Sequence, residues 1–148
     1  MQWVVCDIDG VLADPTHRLH HITGETKDWD AFFQACKNDA PRMREIEVLR
    51  CLSYGRRVCL LTGRSLAVQK ATVEWLSANR VSRNCVYMRP IGDHRPDHEV
   101  KPELLQQFMA ECDLDTSDIL CVIEDRRAVV DMWREMGLLC LQNAPGEF

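Results

Sequence analysis

Five short apolar runs dominate the chain, at Trp3 to Ile8, Arg57 to Leu61, Cys85 to Met88, Ile119 to Ile123 and Leu138 to Leu141. They are rich in Val, Ile, Leu and Cys and mostly do not alternate with polar residues. A strand with one wet face alternates; a strand covered on both faces reads as a continuous apolar run. Helical patterns fill the spaces between them. From Ser65 to Asn79, Val68, Ala71, Trp75 and Leu76 share one face behind Ser65 as a cap. Leu104, Leu105, Phe108, Met109 and Cys112 repeat the pattern, as do Val129, Trp133 and Met136 before Gly137. Ile46, Leu49 and Leu52 form a fourth, with Pro41 suited to its first turn and Gly55 to its end. Doubly buried strands alternating with amphipathic helices predict an α/β fold, a parallel sheet flanked by helices.

A chain of 148 residues buries about two-thirds of its unfolded surface and needs no disulfide or structural metal. We therefore expect one domain over residues 1–148. No segment reaches the roughly 18 apolar residues of a membrane span, and Met1-Gln2-Trp3 leads into the first run without a basic leader, so a soluble, cytoplasmic protein is expected. The formal charge of −5 disfavours a broad nucleic-acid coat. None of the eight cysteines forms a C-x-x-C pair, and Cys6, Cys59, Cys85, Cys121 and Cys140 lie in the apolar runs, which predicts free thiols. No P-loop motif is present.

Residues 14–40 break the pattern. The segment is polar and holds three of the five histidines, His17, His20 and His21, with Arg18 among them. Its Trp29, Phe32 and Phe33 have the spacing of a small packing face. It reads as a cap-like insertion after the first strand, overhanging the carboxyl edge where open parallel sheets bind ligands. The three histidines, without acid partners at fixed spacing, define no metal site.

The chemistry collects at that same edge. The first run ends in Asp7-Ile8-Asp9-Gly10, two carboxylates followed by a residue that lets the chain turn. Such a pair implies either a hard cation such as Mg²⁺ or one protonated acid. The second run ends in Thr62-Gly63-Arg64, a hydroxyl and a guanidinium suited to phosphate. Lys101 opens a helix after a polar loop, and the fourth run ends in Glu124-Asp125-Arg126, acids placed to complete an oxygen site with Asp7.

In that order, DIDGVLAD, LLTGR, the lysine of VKPELL, and VIEDR resemble the four motifs of the haloacid dehalogenase (HAD) superfamily of phosphotransferases, across essentially the whole chain. The resemblance implies a Rossmann-like HAD fold with a small helical cap and a Mg²⁺ cofactor. Asp7 would be the nucleophile, and Asp9 the general acid and base, with its backbone carbonyl toward the metal. Thr62 and Lys101 would neutralise phosphoryl oxygens and the Asp7 charge, and Asp7, Asp9, Asp125 and Glu124 would form the metal site. In the second half, MRPIGDHRPDHEVK, EDRRAVVDMWREMGLLCLQ and the ending GEF are similar to the 3′-phosphatase domain of phage polynucleotide kinase/phosphatases. This implies a substrate phosphate gripped by Arg64, Arg89 and Arg126.

Two departures stand out. The family's paired aspartates are Glu124-Asp125 here, and no kinase half accompanies the motifs. The expected activity is a phosphomonoesterase on a nucleic-acid or nucleotide phosphate, most naturally a polynucleotide 3′-phosphate, beside a separately encoded kinase or ligase. A mononucleotidase, a small-metabolite phosphatase and a non-catalytic module holding nucleic-acid ends are the alternatives.

Overall fold

A computed structural model describes residues 1–146; Glu147 and Phe148, which complete the GEF ending, lie outside the described residues. Five strands form one parallel sheet: β1 (Trp3–Cys6), β4 (Arg57–Ser65), β5 (Cys85–Arg89), β6 (Ile119–Arg126) and β7 (Cys140–Gly146), in the order β5-β4-β1-β6-β7. The helices are α1 (Trp29–Gln34), α2 (Met43–Leu52), α3 (Gln69–Ala78), α4 (Asp97–Cys112) and α5 (Arg127–Glu135). Two short antiparallel strands, β2 (Ala13–Asp14) and β3 (Ala40–Pro41), make a separate pair. This is the parallel α/β sheet that the apolar runs predict and the Rossmann-like fold that the family resemblance implies.

Alternation along β1 explains why its run is continuous. Trp3 and Val5 join Cys59, Leu61 and Val122 under α4 and α5, where Leu105, Phe108, Val130 and Trp133 are buried. Val4 and Cys6 turn to the opposite face, against Ile46 and Leu49 of α2 and Trp75 and Leu76 of α3. Both faces are dry, so neither carries polar residues. All eight cysteines are free, with Cys6, Cys59, Cys121 and Cys140 buried and Cys85 half-buried.

β2 and β3 bring the two ends of the insertion together, pairing Ala13 with Pro41 and Asp14 with Ala40. Pro41 therefore does not open α2, which begins at Met43. A proline has no N–H to give a ladder, and a two-residue edge pair tolerates that. Between the short strands lie a 3₁₀ turn (Thr16–His21), α1 and a second 3₁₀ turn. Phe32 and Phe33 of α1 are buried with Cys36, Val68 and Met88, the packing face that their spacing predicts. Ser65 caps a 3₁₀ turn by accepting the Ala67 N–H, and α3 follows at Gln69. No helix among the described residues is long and apolar enough to cross a membrane.

Candidate active site

β1, β4 and β6 end at one edge of the sheet, and their last residues bring Asp7, Thr62 and Glu124-Asp125 together. Asp7 follows β1 directly and is anchored by its N–H, which donates to the Ile123 carbonyl at 3.0 Å. Gly10 turns the chain with φ +81°; any Cβ there would run into the Asp125 carboxylate. The residue type is thus set by both the backbone and the neighbouring acid.

One oxygen each from Asp7, Glu124 and Asp125 lies within 4.8 Å of the others, and all three residues are buried. Burial and the Glu124 charge push the Asp7 carboxyl well up, against the pull of Lys101. Burial likewise raises Glu124 and Asp125. Lys101, fully buried on α4, lies 2.9 Å from Asp7 Oδ2 and 2.6 Å from Glu124 Oε2. Burial opposes its charge, but Asp7 and Glu124 hold it protonated. One ammonium against three carboxylates leaves the cluster short of positive charge. Asp7 Oδ1 is buried without a hydrogen-bond partner among the described residues. Hard oxygen donors, excess negative charge and an orphaned oxygen fit a divalent cation, so this cluster can hold one.

Asp9 belongs to a different network. Its Oδ1 accepts Arg64 Nε at 2.9 Å and Nη2 at 2.7 Å, and lies 2.7 Å from Arg18 Nη2. Behind it, Asp39 Oδ1 accepts Arg18 Nε at 2.8 Å, and Asp39 Oδ2 accepts Arg18 Nη2 at 2.7 Å and Arg64 Nη2 at 2.9 Å. His17 Nε2 lies 2.8 Å from Asp39 Oδ1. Burial raises the Asp9 carboxyl, but the Arg64 and Arg18 guanidiniums outweigh it and hold it at about 2. Trp75 Nε1 donates to the Asp39 carbonyl at 2.8 Å, so the network also fastens the insertion to α3.

The other expected site residues take the following places. Arg64 is completely buried and does not line the cavity; its guanidinium pairs with Asp9 and Asp39. The Asp9 side chain, held by two arginines, is outside the carboxylate cluster, which leaves the expected role of its backbone carbonyl untouched. Thr62 is buried, its hydroxyl accepting the Arg64 N–H at 3.2 Å. Arg89 reaches the cavity but pins the loop before α4, donating to the carbonyls of Gly63 at 2.8 Å and Arg95 at 2.6 Å and pairing with Asp97. Arg126 lies on the rim, 36% exposed in its side chain and 3.4 Å from Asp97 Oδ2.

Three participants escape the sequence reading. Arg18 and Asp39 look like solvated charges in a polar insertion, and nothing in their spacing shows that they meet. Asp97 carries a fainter signal, four residues before Lys101 and hence on the same helix face. Asp97 also leaves no room at Gly63, where a Cβ would sit 2.6 Å from its Oδ1. His20 and His21 stack on each other at 4.0 Å and take no part in the cluster.

Above these groups opens a cavity of about 460 Å³, within the range of small-ligand sites. Its floor carries Asp7, Asp9 and Asp125, its rim Arg126, and its far wall Leu19, Trp29 and Phe32 of the insertion. With a cation on the acidic floor, the cationic rim and apolar wall suit an anionic group attached to an apolar or aromatic body.

Comparison with known proteins agrees with this geometry. The family described as "Polynucleotide kinase PNKP phosphatase domain" matches residues 1–148. A putative bifunctional polynucleotide kinase/RNA ligase of Autographa californica nuclear polyhedrosis virus is 24% identical over 146 residues, 95% of this chain and 19% of that protein. A chain of the Pnkp1/Rnl/Hen1 RNA repair complex superposes with TM-score 0.79 at 28% identity, over 99% of this chain and 43% of that one. This chain thus spans about a fifth and under half of these two relatives. A haloacid dehalogenase-like hydrolase of Streptococcus pneumoniae, at 13% identity and TM-score 0.67 over 96% of this chain and 84% of that one, shares the fold. Matched along its whole length and carrying the acidic cluster at the expected strand ends, the chain belongs to the phosphatase-domain family of polynucleotide kinase PNKP and is a phosphohydrolase of the HAD superfamily.

Proposed function

We propose that the chain is a Mg²⁺-dependent phosphomonoesterase that removes a terminal phosphate, a 3′-phosphate foremost, from nucleic-acid ends. The observation that carries this reading is the three-carboxylate cluster against Lys101, whose Asp7 and Asp125 line a cavity with a cationic rim and an apolar wall. The family match and the two nucleic-acid-processing relatives support the substrate class.

In this reading Asp7 attacks phosphorus, a bond forms between a carboxylate oxygen and phosphorus, and the ester P–O bond breaks to release an alkoxide. Water then attacks phosphorus and frees phosphate and the Asp7 carboxylate, so one hard hydrolysis becomes two easier steps. Lys101 fixes Asp7 Oδ2 and orients the nucleophile. Arg126 meets the phosphoryl oxygens at the rim. Asp7, Glu124 and Asp125 would hold Mg²⁺, which when bound offsets charge on the transferring group. Asp9 is ready to accept the proton of the attacking water, because its arginines keep it ionised. To protonate the leaving alkoxide it must first loosen one of those pairings. The two arginines converge on Oδ1, which leaves Oδ2 for proton exchange.

The relatives' descriptions join a polynucleotide kinase with an RNA ligase, or Pnkp1 with Rnl and Hen1. On that footing the activity would sit beside kinase and ligase activities in end repair.

The test is phosphate release, with Mg²⁺ and with EDTA, from a 3′-phosphorylated oligonucleotide, a 5′-phosphorylated one and a panel of mononucleotides. Preference for the 3′ end supports the proposal, and Asp7→Asn should abolish it. Activity confined to mononucleotides would make the chain a nucleotidase. Silence on every substrate would leave a metabolite phosphatase or a module that only binds.

A further inference from the structure

We infer that Trp29 and His94 form a clamp for the terminal nucleobase of the phosphorylated end; the inference rests on the proposed function and extends it to the leaving group. Both residues line the cavity that has Asp7 on its floor. Trp29 comes from α1 in the insertion, whereas His94 lies on the loop between β5 and α4.

Their ring centroids lie 6.4 Å apart, with the planes inclined by 30°. Two rings in contact would have planes about 3.5 Å apart, and a third ring between them needs about 7 Å. The centroid separation falls short of that figure, so the clamp forms when the loop carrying His94 moves outward and the two rings close on the base from either side. Trp29 is already oriented for this. It meets Phe32 edge-on at 5.8 Å and Phe33 at 6.1 Å, and these two are buried, so the indole is braced from behind while staying half-exposed. A braced aromatic ring loses little freedom on binding.

The surroundings favour a nucleic-acid end over a compact polar metabolite. Leu19, Ile22 and Phe32 continue the apolar wall, which has no use for a phosphate or a hydroxylated sugar. Lys27 also lines the cavity, with Nζ 5.8 Å from the Trp29 ring centroid. In a chain of net charge −5, this cation stands where the next phosphate of a polynucleotide would leave the clamp. Phosphate at the floor, base between the rings and backbone past Lys27 use the cavity from end to end.

The experiment measures binding in an Asp7→Asn background with Mg²⁺, so that turnover plays no part. Two short oligonucleotides with a 5′ fluorophore and a 3′-phosphate are compared by anisotropy, one with a normal terminal base and one with an abasic terminal residue. Base stacking on an aromatic side chain predicts roughly 5- to 150-fold tighter binding of the base-bearing ligand. That ratio should collapse toward one in both Trp29→Leu and His94→Ala. Trp3, Trp75 and Trp133 are 5%, 6% and 1% exposed, so quenching of tryptophan fluorescence by the base-bearing ligand alone would report Trp29. Equal affinity for the two ligands, failure of both to bind, or a preference that survives both substitutions would overturn the clamp. Phosphate release by the unsubstituted protein is followed in parallel. Its absence would sink the phosphatase reading while the ratio of affinities still judges the clamp.

Discussion

Replacing Asp39 by Asn tests whether the insertion is bolted to the core through charge. The Asp39 side chain is fully buried and sits within 2.7 to 2.9 Å of nitrogens from His17, Arg18 and Arg64. With Asp9 it balances two guanidiniums, so the substitution leaves one buried positive charge unmatched. Breaking a buried ion pair on one side costs about 3–5 kcal/mol, against a total stability of about 5–15 kcal/mol for a typical domain. Urea unfolding followed by circular dichroism should show that loss, with a melting temperature lower by roughly 10 °C or more. The double variant D39N/R64Q restores the balance of charge. It should therefore be less destabilised than the two single changes together, by about 1–3 kcal/mol. A loss under about 1 kcal/mol in D39N, or single effects that simply add, would refute the claim that these four charged groups act as one unit.

Three other outcomes follow from the geometry. Gly10→Ala puts a Cβ against Asp125 on backbone with φ +81°; phosphatase activity should fall at least 100-fold and stability by about 1–3 kcal/mol, and a fully active variant would contradict the packing described. Asp97 is held below the usual carboxylate range: burial opposes its charge, but Lys101, Arg126 and Arg89 outweigh it. Its stabilising contribution is therefore complete above the unfolded value near pH 4 and is lost as pH falls through the lower folded value. The urea midpoints of the protein and Asp97→Asn should converge on acidification, and a gap that widens below pH 4 would reverse the argument. Mg²⁺ should raise the melting temperature, because a ligand of the folded state at a hundred times its dissociation constant adds about 2.7 kcal/mol; the effect should vanish in Asp125→Ala.

The sheet and the carboxylate cluster are legible in the sequence because each is written locally. A doubly buried strand is a continuous run of apolar side chains, and the acids follow the strand ends that position them, as with Asp7 after Cys6. Lys101 is legible for a weaker reason, as a cation in a motif of known order. The Arg18–Asp39–Arg64 network is different in kind. Its members come from two separate segments, and only the antiparallel pairing of β2 with β3 and the packing of Phe32 and Phe33 bring them together. The motif places Arg64 at the strand end, but its pairs with Asp9 and Asp39 depend on contacts across the fold that the motif does not contain. Pro41 shows the same limit. A proline suits the start of a helix or the edge of a sheet equally well, and the partner strand at Ala13 decides.

The position of β1 governs the order in which the acidic cluster can assemble. It is the first strand of the chain and the middle strand of the sheet, with β4 on one side and β6 on the other. During synthesis Asp7 emerges early, but Lys101 follows about a hundred residues later and the Glu124-Asp125 pair later still. Asn143 Nδ2 then donates to the Gly10 carbonyl at 3.2 Å, and Gln142 Nε2 to the Asp125 carbonyl at 2.9 Å, tying both acidic loops from β7. A ribosome-bound fragment that ends before β6 holds Asp7 beside a strand edge still unpaired and lacks Glu124 and Asp125, two of the three acids of the cluster. The acidic cluster thus closes only once β6 has joined β1, and the β7 side-chain amides then fasten the loops around it.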